Sequence, residues 1–294
     1  MSKIAILTDS SCDIPVELEQ KYGIDILCFP ITLDGVSYTE RKDFTPEEFY
    51  DMMRQANGVP TTAAVTSLRF LEKFCEYVDE GCTEVLAVLI NGTGSATFNN
   101  AVMAAEELKE ERPGHQMKIH LVDARTYSMV FGWYVCEAAR KIRNGAEVAH
   151  VKAELEKQMA SNEICLAAFS LKQMKKSGRV SAAAAFAGEL LGLRPIISLN
   201  DGVSVVQSKV RGDAAVVPAM IKYVTSRVAD VKEMEYQIGY TDHPMKDELI
   251  KQCKKAFGHP PVNTFLLGSV VSANTGPDAI AIAFTGADRG PRDL

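Results

Sequence analysis

An α/β protein of two domains is the fold class this sequence predicts, and three observations carry it. In the first half, short apolar runs alternate with helical periodicities, the pattern of a parallel sheet with helices on both faces. In the second half, the runs Ile196–Leu199 and Val203–Val210 flank Asn200-Asp201-Gly202, a hairpin signal, so that sheet is mixed. At 294 residues the chain also exceeds one typical domain. The expected division is a parallel three-layer α/β domain over residues 1–160 and a mixed α/β domain over residues 161–294.

Each element has a local reason. Lys3 to Leu7 is an apolar run ending in Thr8-Asp9-Ser10-Ser11. A helix is expected from about Ile14, with Asp13 as N-cap, Pro15 in its first turn and Gly23 at its close. Ile24 to Phe29 reads as the second strand. Thr45-Pro46-Glu47-Glu48 is a helix start, with a cap, Pro at the first position and Glu at the third. From Ser67, the face Phe70, Leu71, Phe74, Tyr77 and Val78 predicts a helix ended by Gly81. Strands follow at Val85–Ile90 and Ile119–Val122, the first feeding a polar loop and a helix. Helical patterns cover about Thr126–Arg143 and Ala146–Ala160. Beyond them, Ile164–Phe169, the hairpin, Glu235–Tyr240, Thr264–Leu267 and Ala279–Phe284 read as strands. Ala214–Val228 and Met245–Ala256 read as helices.

A net charge of −6 argues against a nucleic-acid binder that relies on general basicity. The seven cysteines are odd in number and form no C-x-x-C pair, so neither a disulfide framework nor a zinc site is expected. The start MSKIAILTDSS has too short an apolar run for a signal peptide, and no run of 18 apolar residues occurs. A reduced, cytoplasmic setting is expected.

The chemistry-bearing segments are loops. In "INGTGSATFNN", from Ile90, small hydroxyls and glycines lie between a strand and a helix. A helix N-terminus there offers unpaired donors and partial positive charge to an anion; an ordinary strand-to-helix turn fits the composition too. Gly92-Thr93-Gly94 is no dinucleotide fingerprint, because the third glycine would fall on Thr97. Asp9-Ser10-Ser11-Cys12-Asp13 occupies the equivalent place after the first strand. No nucleophile elbow and no H-E-x-x-H occur. An enzyme on this scaffold would have Ser95 or Asp9 as its reacting group, and a sensor of a small polar anion would use the same loop. The four alanines from Ala182, followed by Phe186, Leu190, Leu191 and Leu193, suggest either close packing or the lining of a narrow apolar cavity. Lys209 and Arg211 lie on one side of the outgoing hairpin arm, with Val206, Ser208 and Val210 on the other.

Seven segments occur in one order: "LTDSSCDIP", "PTTAAVTSLRF", "NGTGSATFNNA", "LVDARTYS", "KKSGRVS", "LRPIISLNDGVSVVQSKVR" and "SANTGPDAIAIAF". Together they resemble the DegV family, bacterial fatty-acid-binding proteins. The resemblance implies two α/β domains, an acyl chain buried at and below their junction, and a carboxylate presented to a separate kinase. It implies a carrier with no catalytic turnover alone, no cofactor and no metal, for which transient contact with a membrane surface is admissible. It places the carboxylate on Thr62, Ser95, Thr97 and Asn274. Arg179, Ala184, Phe186, Leu190 and Leu191 would line or support the acyl pocket, and Lys209 and Arg211 would dock the partner. Two positions depart from the family pattern. Ala96 stands where a glycine is usual, and Asn274 replaces a histidine by an amide that donates a hydrogen bond but carries no charge.

Overall fold

The computed structural model describes residues 3–181 and 192–290. In chain order the elements are β1 (Ile4–Asp9), α1 (Val16–Tyr22), β2 (Ile24–Leu27), β3 (Pro30–Leu33), β4 (Val36–Thr39), α2 (Pro46–Gln55), β5 (Thr61–Thr62), α3 (Ser67–Asp79), β6 (Glu84–Leu89), α4 (Thr97–Glu111), β7 (Lys118–Asp123), α5 (Met129–Arg143), α6 (Val148–Ser161), β8 (Asn162–Ala168) and α7 (Lys172–Ser177). After residue 191 come β9 (Leu193–Asn200), β10 (Val203–Arg211), α8 (Val216–Arg227), β11 (Tyr236–Tyr240), α9 (Met245–Phe257), β12 (Asn263–Leu266), α10 (Ser269–Thr275) and β13 (Ala279–Thr285). The described residues group into two compact units. The first takes them from Met1–Pro30, Ala63–Ala160 and Gly290–Leu294, and the second from Ile31–Thr62 and Ser161–Arg289. A single division after residue 160 therefore does not describe the grouping, because residues 31–62 leave the first half and join the second.

In the first unit four strands pair in the order β2-β1-β6-β7, all parallel. The cores of β1 and β6 are apolar on both faces and buried, as a sheet covered on both sides requires. The chain steps from β1 to β2 in one direction and from β6 to β7 in the other. Right-handed crossovers then put α1 and α4 on opposite faces, which makes three layers. α1 packs with α5, and α3 packs with α4. The start of the chain differs from expectation. The N-cap of α1 is Pro15, not Asp13: Asp13 sits at φ +53, after a single 3-10 turn over Ser10–Cys12 that Asp9 caps, and it accepts a hydrogen bond from the Ser128 hydroxyl. α5 is seated directly on that turn. A β-carbon added at Gly132 would lie 2.2 Å from the Cys12 carbonyl oxygen.

In the second unit six strands run in the order β10-β9-β8-β13-β11-β12, antiparallel except for β11 beside β12. The two faces differ in bulk. Tyr236, Ile238, Ile280, Ile282 and Phe284 point toward α8 and α9, where they pack on Val217, Met220, Val224, Leu249 and Phe257. The alternate residues of the same strands include Gly239, Ala279, Ala281 and Ala283, with small side chains or none, but also the buried Gln237; the paired register adds Ile164, Leu166 and Ala168 to that face, and Phe265 and Leu267 cover Gly239.

Residues 31–62 form their own sheet, β4-β3-β5. Asp34 and Gly35, at φ +48 and +82, make the turn between β3 and β4, since both central residues of a type I′ turn need positive φ. α2 starts with the expected capping box of Thr45 and Glu48. Two buried bonds tie the segment to the approach to α10. The Glu40 carboxylate accepts from Val270 N at 2.9 Å, and the Tyr50 hydroxyl donates to the Leu267 carbonyl.

The β9–β10 hairpin forms as expected, with a bulge between Val206 and Ser208. The extra residue reverses which side chains share a face. Lys209 and Arg211 still share a side, paired opposite Pro195 and Leu193. Val206, opposite Ile197, joins that side, and only Ser208 and Val210 lie on the other.

Candidate functional site

The order β2-β1-β6-β7 reverses direction between β1 and β6. Ligands of open parallel sheets sit at such a switch point, beyond the carboxyl ends of the strands. The loops leaving there are Ser10–Asp13 and Ile90–Ala96, and they are joined. The Asp9 carboxylate, fully buried, accepts from Ile90 N at 2.7 Å, from Ser11 N at 3.1 Å and from the Ser11 hydroxyl at 2.5 Å. Burial raises its pKa to about 6 against the lowering effect of these three bonds. Asp9 is therefore a clamp rather than an exposed reacting group.

Asp123 does the same from β7, accepting from Gly92 N at 3.0 Å and from Arg125 N at 2.9 Å. Asn91 fills the middle: its Oδ1 accepts from the backbone and hydroxyl of Thr93, and its Nδ2 donates to the Arg125 carbonyl. The Asn91 carbonyl accepts from Gly94 N and Ser95 N. Tyr127 lies over Gly94, where a β-carbon would come within 2.6 Å of its hydroxyl.

Ser95 and Thr97 are brought together. Their hydroxyl oxygens are 2.9 Å apart, and Thr97 N donates to Ser95 Oγ at 3.2 Å. Thr97 is fully buried, and its Oγ1 accepts from Val65 N at 3.3 Å. Asn100 Nδ2 donates to the Val65 carbonyl, so the segment before α3 is held at both ends of one residue. Ser95 is only half-buried. The N–H groups of Phe98 and Asn99 precede any carbonyl that their own helix could supply. A half-exposed hydroxyl at the start of a 15-residue helix is thus the polar end of this loop.

The remaining candidates lie in the second unit. Thr62 sits on β5, paired with Ile31, and β5 packs against α10. Asn274 lies on α10 and donates from Nδ2 to the Val270 carbonyl at 2.7 Å, which leaves its other N–H and its Oδ1 for a partner. Arg179 is exposed and donates to the Ser177 carbonyl at 3.0 Å. Ala184, Phe186, Leu190 and Leu191 lie outside the described residues. Lys209 and Arg211 are exposed on β10, an edge strand. Among the described residues no cluster of acidic, histidine or cysteine side chains could hold a metal ion, and no helix is long and apolar enough to cross a membrane.

From sequence Asp123, like Asp9, follows a strand and reads as a base, a metal ligand or more commonly a helix cap; Asn91 and the tether Glu40 have no such reading. The signal that marks Asp123, a polar residue directly after an apolar strand, also holds for Asn91. Glu40 carries no such mark, because its partner is far along the chain.

The chain is similar over nearly its whole length to proteins of one family. A family model described as "Uncharacterised protein, DegV family" matches residues 3–286. A DegV domain-containing protein of Caldanaerobacter subterraneus is 29% identical over 288 residues, covering 97% of this chain and 99% of that one. Among solved structures, a DegV family protein of Thermus thermophilus, described by its fatty acid binding, is 25% identical with a TM-score of 0.81, over 97% of this chain and 100% of its own. A fatty acid binding DegV family protein of Streptococcus agalactiae is 26% identical with a TM-score of 0.84, over 98% and 100%. With the model matched from the first strand to the last, the chain belongs to the DegV family.

Proposed function

We propose that this protein is a cytoplasmic carrier that binds a long-chain fatty acid and presents its carboxylate to a separate kinase, without turnover of its own. The observation that carries the reading is the Ser95 hydroxyl just ahead of the N-cap of α4, at the sheet's switch point. Ser95 Oγ accepts from Thr97 N–H. When the Thr97 hydroxyl also donates to it, the Ser95 proton is left for a ligand oxygen, and the helix terminus favours negative charge there. Thr97 then orients Ser95 from its buried position, while Thr62 and Asn274 supply neutral donors to the same carboxylate. Support for the acyl chain comes from the small side chains of Ala279, Ala281 and Ala283 on one face of β13. Ala184, Phe186, Leu190 and Leu191 are proposed as its further lining. The fatty-acid-binding DegV proteins of Thermus and Streptococcus support the ligand class.

Magnitudes rank the two ends of the ligand. Burying roughly fourteen methylenes at ~0.8 kcal/mol each gives on the order of 11 kcal/mol before ordering costs. A hydrogen bond to the charged head adds about 1.5–3 kcal/mol. The tail sets affinity, and the head sets position. Denaturing the purified protein and identifying released molecules by mass spectrometry tests the reading. Long-chain fatty acid is expected, and no lipid together with no binding of added palmitate would end it. Ser95→Ala is expected to lose about 1–3 kcal/mol of palmitate affinity, measured by displacement of a fluorescent fatty acid, with the melting temperature unchanged. Equal affinity would remove Ser95 from the head site.

Lys209 and Arg211 are proposed as the docking patch for an acidic kinase surface. Replacing both by Ala should leave fatty-acid affinity within about 0.5 kcal/mol. It should slow acyl-phosphate formation by the cognate kinase to the same degree that added salt slows the parent. An unchanged rate would exclude the patch.

A further inference from the structure

Gln173 is an unexplained polar group in the second unit. It lies on α7, which packs against α10, and its side chain is 4% exposed. Its Oε1 is buried with no hydrogen-bond partner. That oxygen faces the turn that ends α10: a β-carbon built on Gly276 would lie 3.2 Å from it. Gly276, at φ +97, has neither the backbone conformation nor the room for a side chain. An acceptor is thus aimed at the same end of α10 that carries Asn274. Buried acceptors left without a donor are rare in folded proteins and call for an explanation.

The surroundings restrict what can fill the place. The charged side chains of α7 are Lys172, Lys175 and Lys176, all exposed, and α10 and β5 carry none. Asp278, beyond the turn, is paired with Arg54 at 3.1 Å. Gln173, Asn274 and Thr62 are neutral groups. An ionised carboxylate has no proton to offer Gln173 Oε1, whereas a hydroxyl has one.

We infer that Gln173 reads the head of a bound long-chain ligand by accepting a hydrogen bond from its O–H, so that the site takes neutral hydroxyl-bearing heads: a fatty alcohol, or a fatty acid in its protonated form. The inference rests on the long-chain lipid reading above and extends it from one charged head to a class of neutral ones.

The test uses the full-length protein and three probes: 1-hexadecanol, its methyl ether, which keeps the oxygen and lacks the proton, and palmitate at pH 6. Dissociation constants are measured for the parent, Gln173→Met and Gln173→Glu. The parent is expected to bind hexadecanol about tenfold or more tighter than the ether, a difference of ~1.4 kcal/mol. Gln173→Met should abolish that preference, and Gln173→Glu, which keeps an acceptor, should retain it. Loss of palmitate affinity in Gln173→Met along with hexadecanol assigns the donor to the protonated acid as well; loss for hexadecanol alone assigns it to alcohols. Equal binding of alcohol and ether by the parent overturns the inference, even if Gln173→Met does not fold. So does an undiminished preference in Gln173→Met. Binding of palmitate but not of hexadecanol overturns it while leaving the lipid reading intact. Failure of all three probes to bind the parent overturns both.

Discussion

Gly132→Ala is expected to destabilise the protein by about 2–3 kcal/mol, in a helix where alanine ought to help. Alanine exceeds glycine by ~1 kcal/mol in intrinsic helix propensity. Against that, the new β-carbon would sit 2.2 Å from the Cys12 carbonyl oxygen and 3.0 Å from both Ile14 Cγ1 and Met129 Sδ. Backbone cannot swing aside as a side-chain tip can, so α5 or the Ser10–Cys12 turn must shift, at the cost typical of an overpacked core. Urea unfolding followed by circular dichroism checks this. A variant as stable as the parent would mean that the turn is soft.

Asp9→Ala tests the joint between the same turn and the Ser95 loop. It leaves the buried N–H groups of Ser11 and Ile90 without their acceptor. The effect should depend on pH in a fixed direction. Asp9 titrates at about 6 in the folded protein against 3.8 ordinarily, so the folded state holds the proton more tightly. Its stabilising contribution is then fully present below about 3.8 and lost as pH rises through 6. Asp9→Ala is expected to cost about 3–5 kcal/mol near pH 4 and on the order of 2 kcal/mol less at pH 7, because each tenfold gain in proton affinity on folding is worth ~1.4 kcal/mol. Denaturant midpoints at the two pH values decide it, and a cost that grows toward pH 7 would reverse the assignment. Weaker palmitate binding in this variant is expected as well, since Ile90 opens the loop that ends at Ser95.

The parallel sheet was legible because its strands are buried on both faces. Val85–Leu89 can be read only as an apolar run between turn signals, and Ile4–Leu7 likewise. The hairpin of β3 and β4 escaped, although Asp34-Gly35 between short β-rich runs is a readable turn. With four residues in each strand, neither run shows a period. α7 and α10, six and seven residues long, are too short for a helical period to show. Asp13 was misread because aspartate before Ile-Pro resembles a cap; its left-handed backbone instead closes the 3-10 turn, its N–H donating to the Ser10 carbonyl while its carboxylate accepts from Ser128. The bulge at Gln207 falls where alternation breaks, at Val205-Val206 followed by Gln207-Ser208-Lys209, and reading the arm as one regular strand passed over that mark.

For the site, residue types at the start of α4 pointed to an anion or polar head without help. The grouping of Thr62 and Asn274 with Ser95 is a proposal that rests on the family resemblance alone. Gln173 had no signal at all: one glutamine among lysines on a short helix becomes notable only when its buried oxygen is seen facing Gly276.

The excursion of residues 31–62 bears on how the chain is made. A ribosome delivers β1, β6 and β7 within the first 123 residues, so the first sheet can close early. The segment carrying Phe44, Phe49, Tyr50 and Met53, all buried in the finished protein, emerges before most of that sheet, and its anchors do not yet exist. Tyr50 waits 217 residues for Leu267, and Glu40 waits 230 for Val270. Such long-range closure is slow, and apolar surface kept waiting is exposed to misassembly. Nascent chains stalled between residues 160 and 260 should therefore present these aromatics to chaperones, and release from them should follow synthesis of α10.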